Sequence, residues 1–324
     1  MQHAALIHIE IKEAGGVSMR LLTRSDFDGL ACAVLLEEMG IIDEYEFVHP
    51  KDVQEGKVKV TSNDVMANTP YASGCGLWFD HHVSESERLE FKELDFNGES
   101  RPAPSAAQVI WDYYGGDKVF KKELKPLMEA VNKSDSGNLT VDEILHPKGF
   151  ILLSYVMDPR TGLGRYKDYR ISNYQLMEDM IKYCRTMTAD DILEIPDIKE
   201  RVDRYYEHEV LFKEMLKRCC EIDKNIIVTN LMNEEDISCG NRFMVYALYP
   251  DQNIEIRVMW GREKENVVFT CGHSIINRSS RTNVASLMLK YGGGGHEKVG
   301  TCQVIEDFWE EVLQELIEQM KKDG

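Results

Sequence analysis

Residues 21–36 read LLTRSDFDGLACAVLL. An apolar run from Leu21 breaks at Arg24-Ser25-Asp26-Phe27-Asp28-Gly29, and a second apolar run follows, with Gly40 as its stop. That order is strand, acidic loop, helix. It decides the fold class, because the pattern recurs downstream: YEFVHP, then VKVTSNDV, then Leu77-Trp78-Phe79 ending in Asp80-His81-His82. A helix is expected to follow over SAAQVIWDYYGG, with the Ser105 hydroxyl as its N-cap. Strands alternating with helices at this spacing predict a doubly wound, mostly parallel sheet.

Beyond it, residues 119–220 read as mainly helical and end in a long charged stretch, IKERVDRYYEHEVLFKEMLKRCC. The texture then turns to β over NIIVTNLM, RFMVYALYP, IEIRVMW and ENVVFTCGHSII, before the helix VASLMLKYGG, a Gly-rich turn and a terminal helix from Asp307. The expected class is therefore α/β throughout. An appendage (1–18) precedes a metal-binding domain (19–195), and a helical linker (196–224) joins that to a smaller α/β domain (225–324).

The chain has 324 residues, long enough for two cores, and its 43% hydrophobic and 29% charged content is that of a globular protein. No apolar run reaches membrane-spanning length and no secretion signal is visible, so a cytoplasmic location is expected. Eight scattered cysteines without a C-x-x-C pair read as reduced thiols. The net charge of −18 argues against gripping long duplex nucleic acid, which calls for Lys and Arg, but leaves room for a small anionic substrate at a local site.

Ligands in open α/β sheets bind at the carboxyl ends of the strands. Asp26 and Asp28 are expected beyond one such end, Asp64 beyond a second, and Asp80, His81 and His82 beyond a third. Carboxylates crowded in this way must protonate or hold cations, and mixed carboxylate and imidazole donors suit Mn²⁺ or a similar ion.

These motifs, with Phe79-Asp80-His81-His82-Val83-Ser84-Glu85 and Gly292-Gly293-Gly294-Gly295-His296, resemble the DHH phosphoesterase superfamily with its DHH-associated C-terminal domain. The resemblance runs over nearly the whole chain beyond Met19. It implies a metal-dependent hydrolase of phosphodiester or phosphoanhydride bonds, since the superfamily includes RecJ-type nucleases, oligoribonucleases that also cleave pAp, cyclic-dinucleotide phosphodiesterases, exopolyphosphatases and type II pyrophosphatases. Ser25-Asp26-Phe27-Asp28-Gly29 looks closest to the oligoribonuclease group, which makes short oligonucleotides or pAp the expected substrates. Polyphosphate and cyclic dinucleotides stand behind them, and a nucleotide-binding protein without catalysis is the alternative of another class.

Carried over by position, the resemblance implies one ion (Mn²⁺, Co²⁺ or Mg²⁺) on Asp28, Asp64, His81 and Asp135, and a second on Asp26 with Asp64 bridging. His82 would face the substrate phosphate as donor or acid, and Asp80 would orient a histidine. Gly293, Gly294, Gly295 and His296 would form an anion nest, with Arg278 and Arg281 on the distal part of the substrate. Substrate is expected between the two domains, with closure favouring short molecules. A homodimer is compatible, and the loop carrying Arg160 and Arg165 could line the cleft or a subunit contact.

The chain departs from the family pattern at one place. Where relatives offer a first-motif histidine, four or two residues before the first aspartate, it has Leu22 and Arg24. Either the site there is weakened, with Arg24 serving as a fixed charge or an ion pair, or another residue such as His49 substitutes.

Overall fold

The computed structural model describes residues 18–82 and 95–324. The expected appendage lies outside the described residues apart from Ser18, as does the Val83-Ser84-Glu85 end of the third motif. By contacts the chain forms two compact units. Of the described residues, the first takes 18–82, 95–138, 148–159 and 163–202, and the second 139–147, 160–162 and 203–324.

The first unit is built on β1 (Met19–Thr23), α1 (Phe27–Glu38), β2 (Ile42–Phe47), α2 (Pro50–Gln54), β3 (Asp64–Ala67), β4 (Leu77–Asp80), β5 (Gly98–Ser100), α3 (Ala106–Tyr113) and α4 (Lys125–Ser136). Its five strands run in the order β2-β1-β3-β4-β5, all parallel. That is a doubly wound order in which the winding reverses between β1 and β3, so the crevice lies beyond their carboxyl ends. Residues Phe27 to Leu36 of α1 are buried without exception, which makes α1 a central helix with no solvent face. It packs against α3, α4 and a later helix, α7 (Asn173–Thr186). On the opposite side of the sheet, Leu22, Met66 and Trp78 form a cluster with Val53, against which Tyr71 and Phe96 pack.

VKVTSND differs from its expectation in a way that matters for function. The strand does not end at Asp64; it begins there. Val58 and Val60, whose alternation reads as a strand, instead lie in a loop and pack on the Trp78 cluster. A short alternating run marks a half-buried segment, and a loop over a core meets that description as well as a strand does.

The second unit contains α5 (Val141–Leu145), and the first continues with α6 (Gly149–Met157), α7 and α8 (Ala189–Leu193). The long charged stretch is α9 (Pro196–Cys219), and the boundary between the units falls within it, after Val202. It leads into β6 (Cys220–Asp223), β7 (Ile226–Asn230), α10 (Met244–Leu248), β8 (Ile254–Trp260), β9 (Val267–His273), α11 (Val284–Leu289), β10 (Gly294–His296), β11 (Val299–Val304) and α12 (Trp309–Asp323). These strands form a six-stranded mixed sheet, β10-β11-β9-β8-β7-β6, in which only β7 and β8 run parallel. Residues of α11 and α12 close its core over Ile254, Ile256, Val258 and Phe269. RFMVYALYP, expected as a strand, is the helix α10, where the Asn241 Oδ1 accepts from Phe243 N at 2.9 Å. A short apolar run that is buried all round fits either element. Among the described residues no helix is long and apolar enough to cross a membrane.

Candidate metal centre

Asp28 sits in the first turn of α1, 2% exposed. Its Oδ2 accepts from Ala106 N at 2.8 Å and its Oδ1 from Ala107 N at 2.9 Å, so the start of α3 is aimed at this carboxylate. Ser105 caps that helix, its Oγ accepting from Gln108 N at 3.0 Å and donating to Asn132 Oδ1 at 2.7 Å. Asn132 in turn donates to Gln108 at 2.6 Å, tying α4 to α3. That tie places Asp135, which lies in the last turn of α4.

His81 completes the cluster from the end of β4. Its Nε2 lies 3.2 Å from Asp135 Oδ2 and 3.6 Å from Asp28 Oδ2. Its Nδ1 is 3.2 Å from the Ala103 carbonyl, an acceptor, so Nδ1 is the donor to that carbonyl and Nε2 is the nitrogen left to face the two carboxylates. That buried Nε2 has no hydrogen-bond partner among the described residues. The candidate ligand atoms of Asp28, His81 and Asp135 all lie within 4.8 Å of one another. Burial pushes the Asp28 carboxyl well above its ordinary range, and the neighbouring charges of Asp135 and Asp26 push the same way, against the two amide hydrogen bonds. A buried ring nitrogen without a hydrogen-bond partner, facing carboxylates that repel one another, fits a divalent cation.

Asp26 stands beside this trio but is engaged elsewhere. As the N-cap of α1 it accepts at Oδ1 from Gly29 N at 3.0 Å, and Asn68 Nδ2 donates to the same oxygen at 2.9 Å. Arg24 Nε lies 3.2 Å from Oδ2. Gly29 is required by this loop, because a Cβ there would collide with the Arg24 carbonyl and the Thr23 hydroxyl.

Asp64 is the one expected ligand that the structure does not bring to the site. It stands at the first residue of β3, paired with Arg20 of β1, at the end of the sheet away from the crevice. Three residues at ~3.3 Å rise separate it from the other end of the strand. Its oxygens accept from Arg20 Nε at 2.8 Å, Thr61 N at 2.6 Å and Thr61 Oγ1 at 2.9 Å. Burial works to raise its carboxyl, but Arg20 and Thr61 hold it below the usual value. The residue that does stand beyond β3 is Asn68, 1% exposed with φ of +54°, which the sequence reading missed. Its signal was Asn68-Thr69-Pro70 closing the apolar run Val65-Met66-Ala67.

Asp80 is fully buried, and it orients His82 and not His81: its Oδ1 meets His82 Nδ1 at 2.9 Å and its Oδ2 accepts from His82 N at 3.3 Å. Burial lowers the His82 value, but the bond to Asp80, with the charges of Asp80 and Asp135, outweighs burial and the opposing charge of Arg24, so the net shift is upward. His49 is spent as a cap, its Nδ1 accepting from Lys51 N at 3.2 Å, so it does not stand in for a ligand.

In the second unit the Gly-rich segment is divided: Gly292 closes a turn after α11 with φ of +73°, and Gly294 and Gly295 open the edge strand β10. A Cβ on Gly293 or Gly295 would strike the β11 backbone, so close pairing of β10 with β11 accounts for both glycines. Successive amides of a strand face opposite ways, so the Gly294 and Gly295 amides do not point to one side. His296 and Arg278 are exposed; the Arg278 Nε donates to the Ile275 carbonyl at 3.0 Å. Ser274 braces that loop by accepting from Ile276 N and Asn277 N. Arg281 is exposed, and Arg160 and Arg165 lie in short 3-10 turns, Pro159–Thr161 and Leu163–Arg165.

A scan of protein-family models and a search of curated proteins each found no match. Solved structures do match. The DHH domain of a member of the s1p family of ribosomal proteins shares the fold, with a TM-score of 0.53 at 11% identity, over 98% of this chain and 89% of that one. The pGpG-specific phosphodiesterase PggH from Vibrio cholerae is 50% identical with a TM-score of 0.84, over 95% of this chain and all of the other. The chain belongs to the DHH phosphoesterase superfamily. At that identity to a phosphodiesterase, over nearly the whole of both chains, it is a hydrolase, and the D-H-H for which the superfamily is named divides its labour here. Asp80 and His82 pair with each other, while His81 turns to Asp28 and Asp135.

Proposed function

We propose that the chain hydrolyses 5′-phosphorylated linear dinucleotides, pGpG first among them, to nucleoside 5′-monophosphates. The observation that carries this reading is the 50% identity, over nearly all of both chains, to a pGpG-specific phosphodiesterase. Asp28, His81 and Asp135 would hold a divalent ion, and Mn²⁺ suits their mixed donors. When bound, that ion polarises a phosphoryl oxygen and lowers the pKa of a coordinated water.

The chain's own residues account for the rest. Asp80 holds the His82 ring through Nδ1, which leaves Nε2 to act, and the raised value keeps a proton on it nearer neutrality. Water attacks the bridging phosphorus, the bond from phosphorus to the 3′ oxygen breaks, and that oxygen takes its proton from His82 Nε2. Two GMP molecules leave for each pGpG and water consumed. Arg24 supplies a fixed positive charge beside the same site.

The test is a panel of pGpG, pAp, cyclic diguanylate, tripolyphosphate and pyrophosphate, each with Mn²⁺, Co²⁺ and Mg²⁺. GMP from pGpG at a kcat/KM above every other member is the expected result. Asp28→Ala should abolish turnover, and His82→Gln should lower kcat by ~10²-fold or more with KM little changed. Silence on pGpG with all three ions would sink the reading.

A further inference from the structure

We propose that the site holds a single divalent ion, on Asp28, His81 and Asp135, and that Arg24 supplies as a fixed guanidinium the positive charge a second ion would bring. The inference rests on the metallohydrolase reading and revises the pair of ions expected from resemblance. Three observations carry it. First, the only group of three close ligand atoms found among the described residues is that trio. Second, both oxygens of Asp26, the carboxylate expected to hold another ion, are engaged by Gly29 N, Asn68 Nδ2 and Arg24 Nε at 2.9 to 3.2 Å. An ion on Asp26 would have to displace a guanidinium and a buried amide. Third, the residue beyond β3, where a carboxylate could bridge two ions, is Asn68, which is neutral and donates to Asp26.

Charge leads to the same count. Asp26, Asp28 and Asp135 bring three negative charges, and one guanidinium with one divalent ion balances them before substrate arrives. Arg24 is suited to the part. Its side chain is 36% exposed, and its ion pair with Asp26 is made through Nε, so the planar fork stands at the edge of the site with a geometry suited to a phosphoryl oxygen.

The test counts ions without substrate. Chelator-stripped protein titrated with Mn²⁺ should bind one ion per chain, and its electron paramagnetic resonance spectrum should be that of an isolated Mn²⁺. Two ions per chain with an exchange-coupled spectrum would overturn the inference. Asp28→Ala should weaken binding by at least ~100-fold, the upper end of what loss of a mere supporting residue costs. Asp26→Asn should keep the ion within a few-fold, and loss of the ion as in Asp28→Ala overturns the assignment. Arg24→Ala should also keep the ion but lose turnover of pGpG by ~10-fold or more, with partial rescue by added guanidinium; undiminished turnover overturns the role given to Arg24. Two ions with normal turnover would defeat this inference alone, whereas one ion without turnover would defeat the proposed substrate and leave the count standing.

Discussion

Asp28 shows how a single residue carries two opposed requirements. The start of α3 stabilises its charge, while burial, Asp135 and Asp26 oppose it, and the opposition prevails in the ion-free chain. A carboxyl whose folded value is raised contributes stability that is present below its unfolded value and lost as pH rises through the folded one. A bound cation removes that loss, because it favours the charged form. The stabilisation by Mn²⁺ should therefore grow with pH. Thermal unfolding with Mn²⁺ and with chelator, compared from about pH 6 to about pH 8, should show a widening gap in Tm, and apparent Mn²⁺ affinity should fall on acidification as the ion competes with the Asp28 proton. A gap that narrows with pH would mean that Asp28 is not the group the ion discharges. Asp26, Asp28 and the histidines were legible in the sequence, because short motifs at a strand end specify their own placement. Asn68 was not, since Asn68-Thr69-Pro70 marks the end of a strand but not its partner, a carboxylate 42 residues earlier in the chain.

At the scale of elements, the site depends on a helix that contributes no side-chain ligand. The α3 N-terminus holds Asp28 through two backbone amides, and Ser105 holds α3 to α4, which bears Asp135. Ser105→Ala removes the cap and leaves the Asn132 Oδ1 without its donor, so a loss of about 1 to 3 kcal/mol is expected. Because the same change loosens two ligands, Mn²⁺ affinity should fall by ~10-fold or more, while Ser105→Thr or Ser105→Asp retains part of the cap and part of the affinity. Denaturant melts beside Mn²⁺ titrations separate the two effects; a loss of stability with unchanged affinity would make α3 a scaffold only. Ser105 as a cap was readable from its place before an apolar run. The start of β3 was not, and the misplacement of Asp64 followed from that one boundary. The valines of VKVTSND are buried enough to look like a strand, but their backbone pairs with none, and hydrophobic pattern reports burial, not pairing.

For the whole molecule, the α/β class and the parallel sheet were legible because short apolar runs of strand length alternate with longer helical ones between turn residues, and the order β2-β1-β3-β4-β5 then leaves one crevice for a ligand. The mixed sheet of the second unit was only partly so. The edge strand β10 consists of two glycines and a histidine, which carry no strand signal at all. What the whole chain adds to the site is its charge. At −18, the protein repels every phosphate a substrate carries beyond those the site itself neutralises, and the repulsion accumulates with substrate length. A dinucleotide offers few such phosphates, a decanucleotide many. The ratio of kcat/KM for pGpG over a 5′-phosphorylated decaribonucleotide should therefore be large at low salt and shrink as salt is raised from ~0.05 M to ~0.5 M, where the screening length falls to a few ångströms. Salt also weakens the local hold of Arg24 and the ion on phosphate, but that contact is common to both substrates and cancels in the ratio. A ratio that stays constant across the series would assign length selection to the shape of the site; one that shrinks assigns it to the acidic surface.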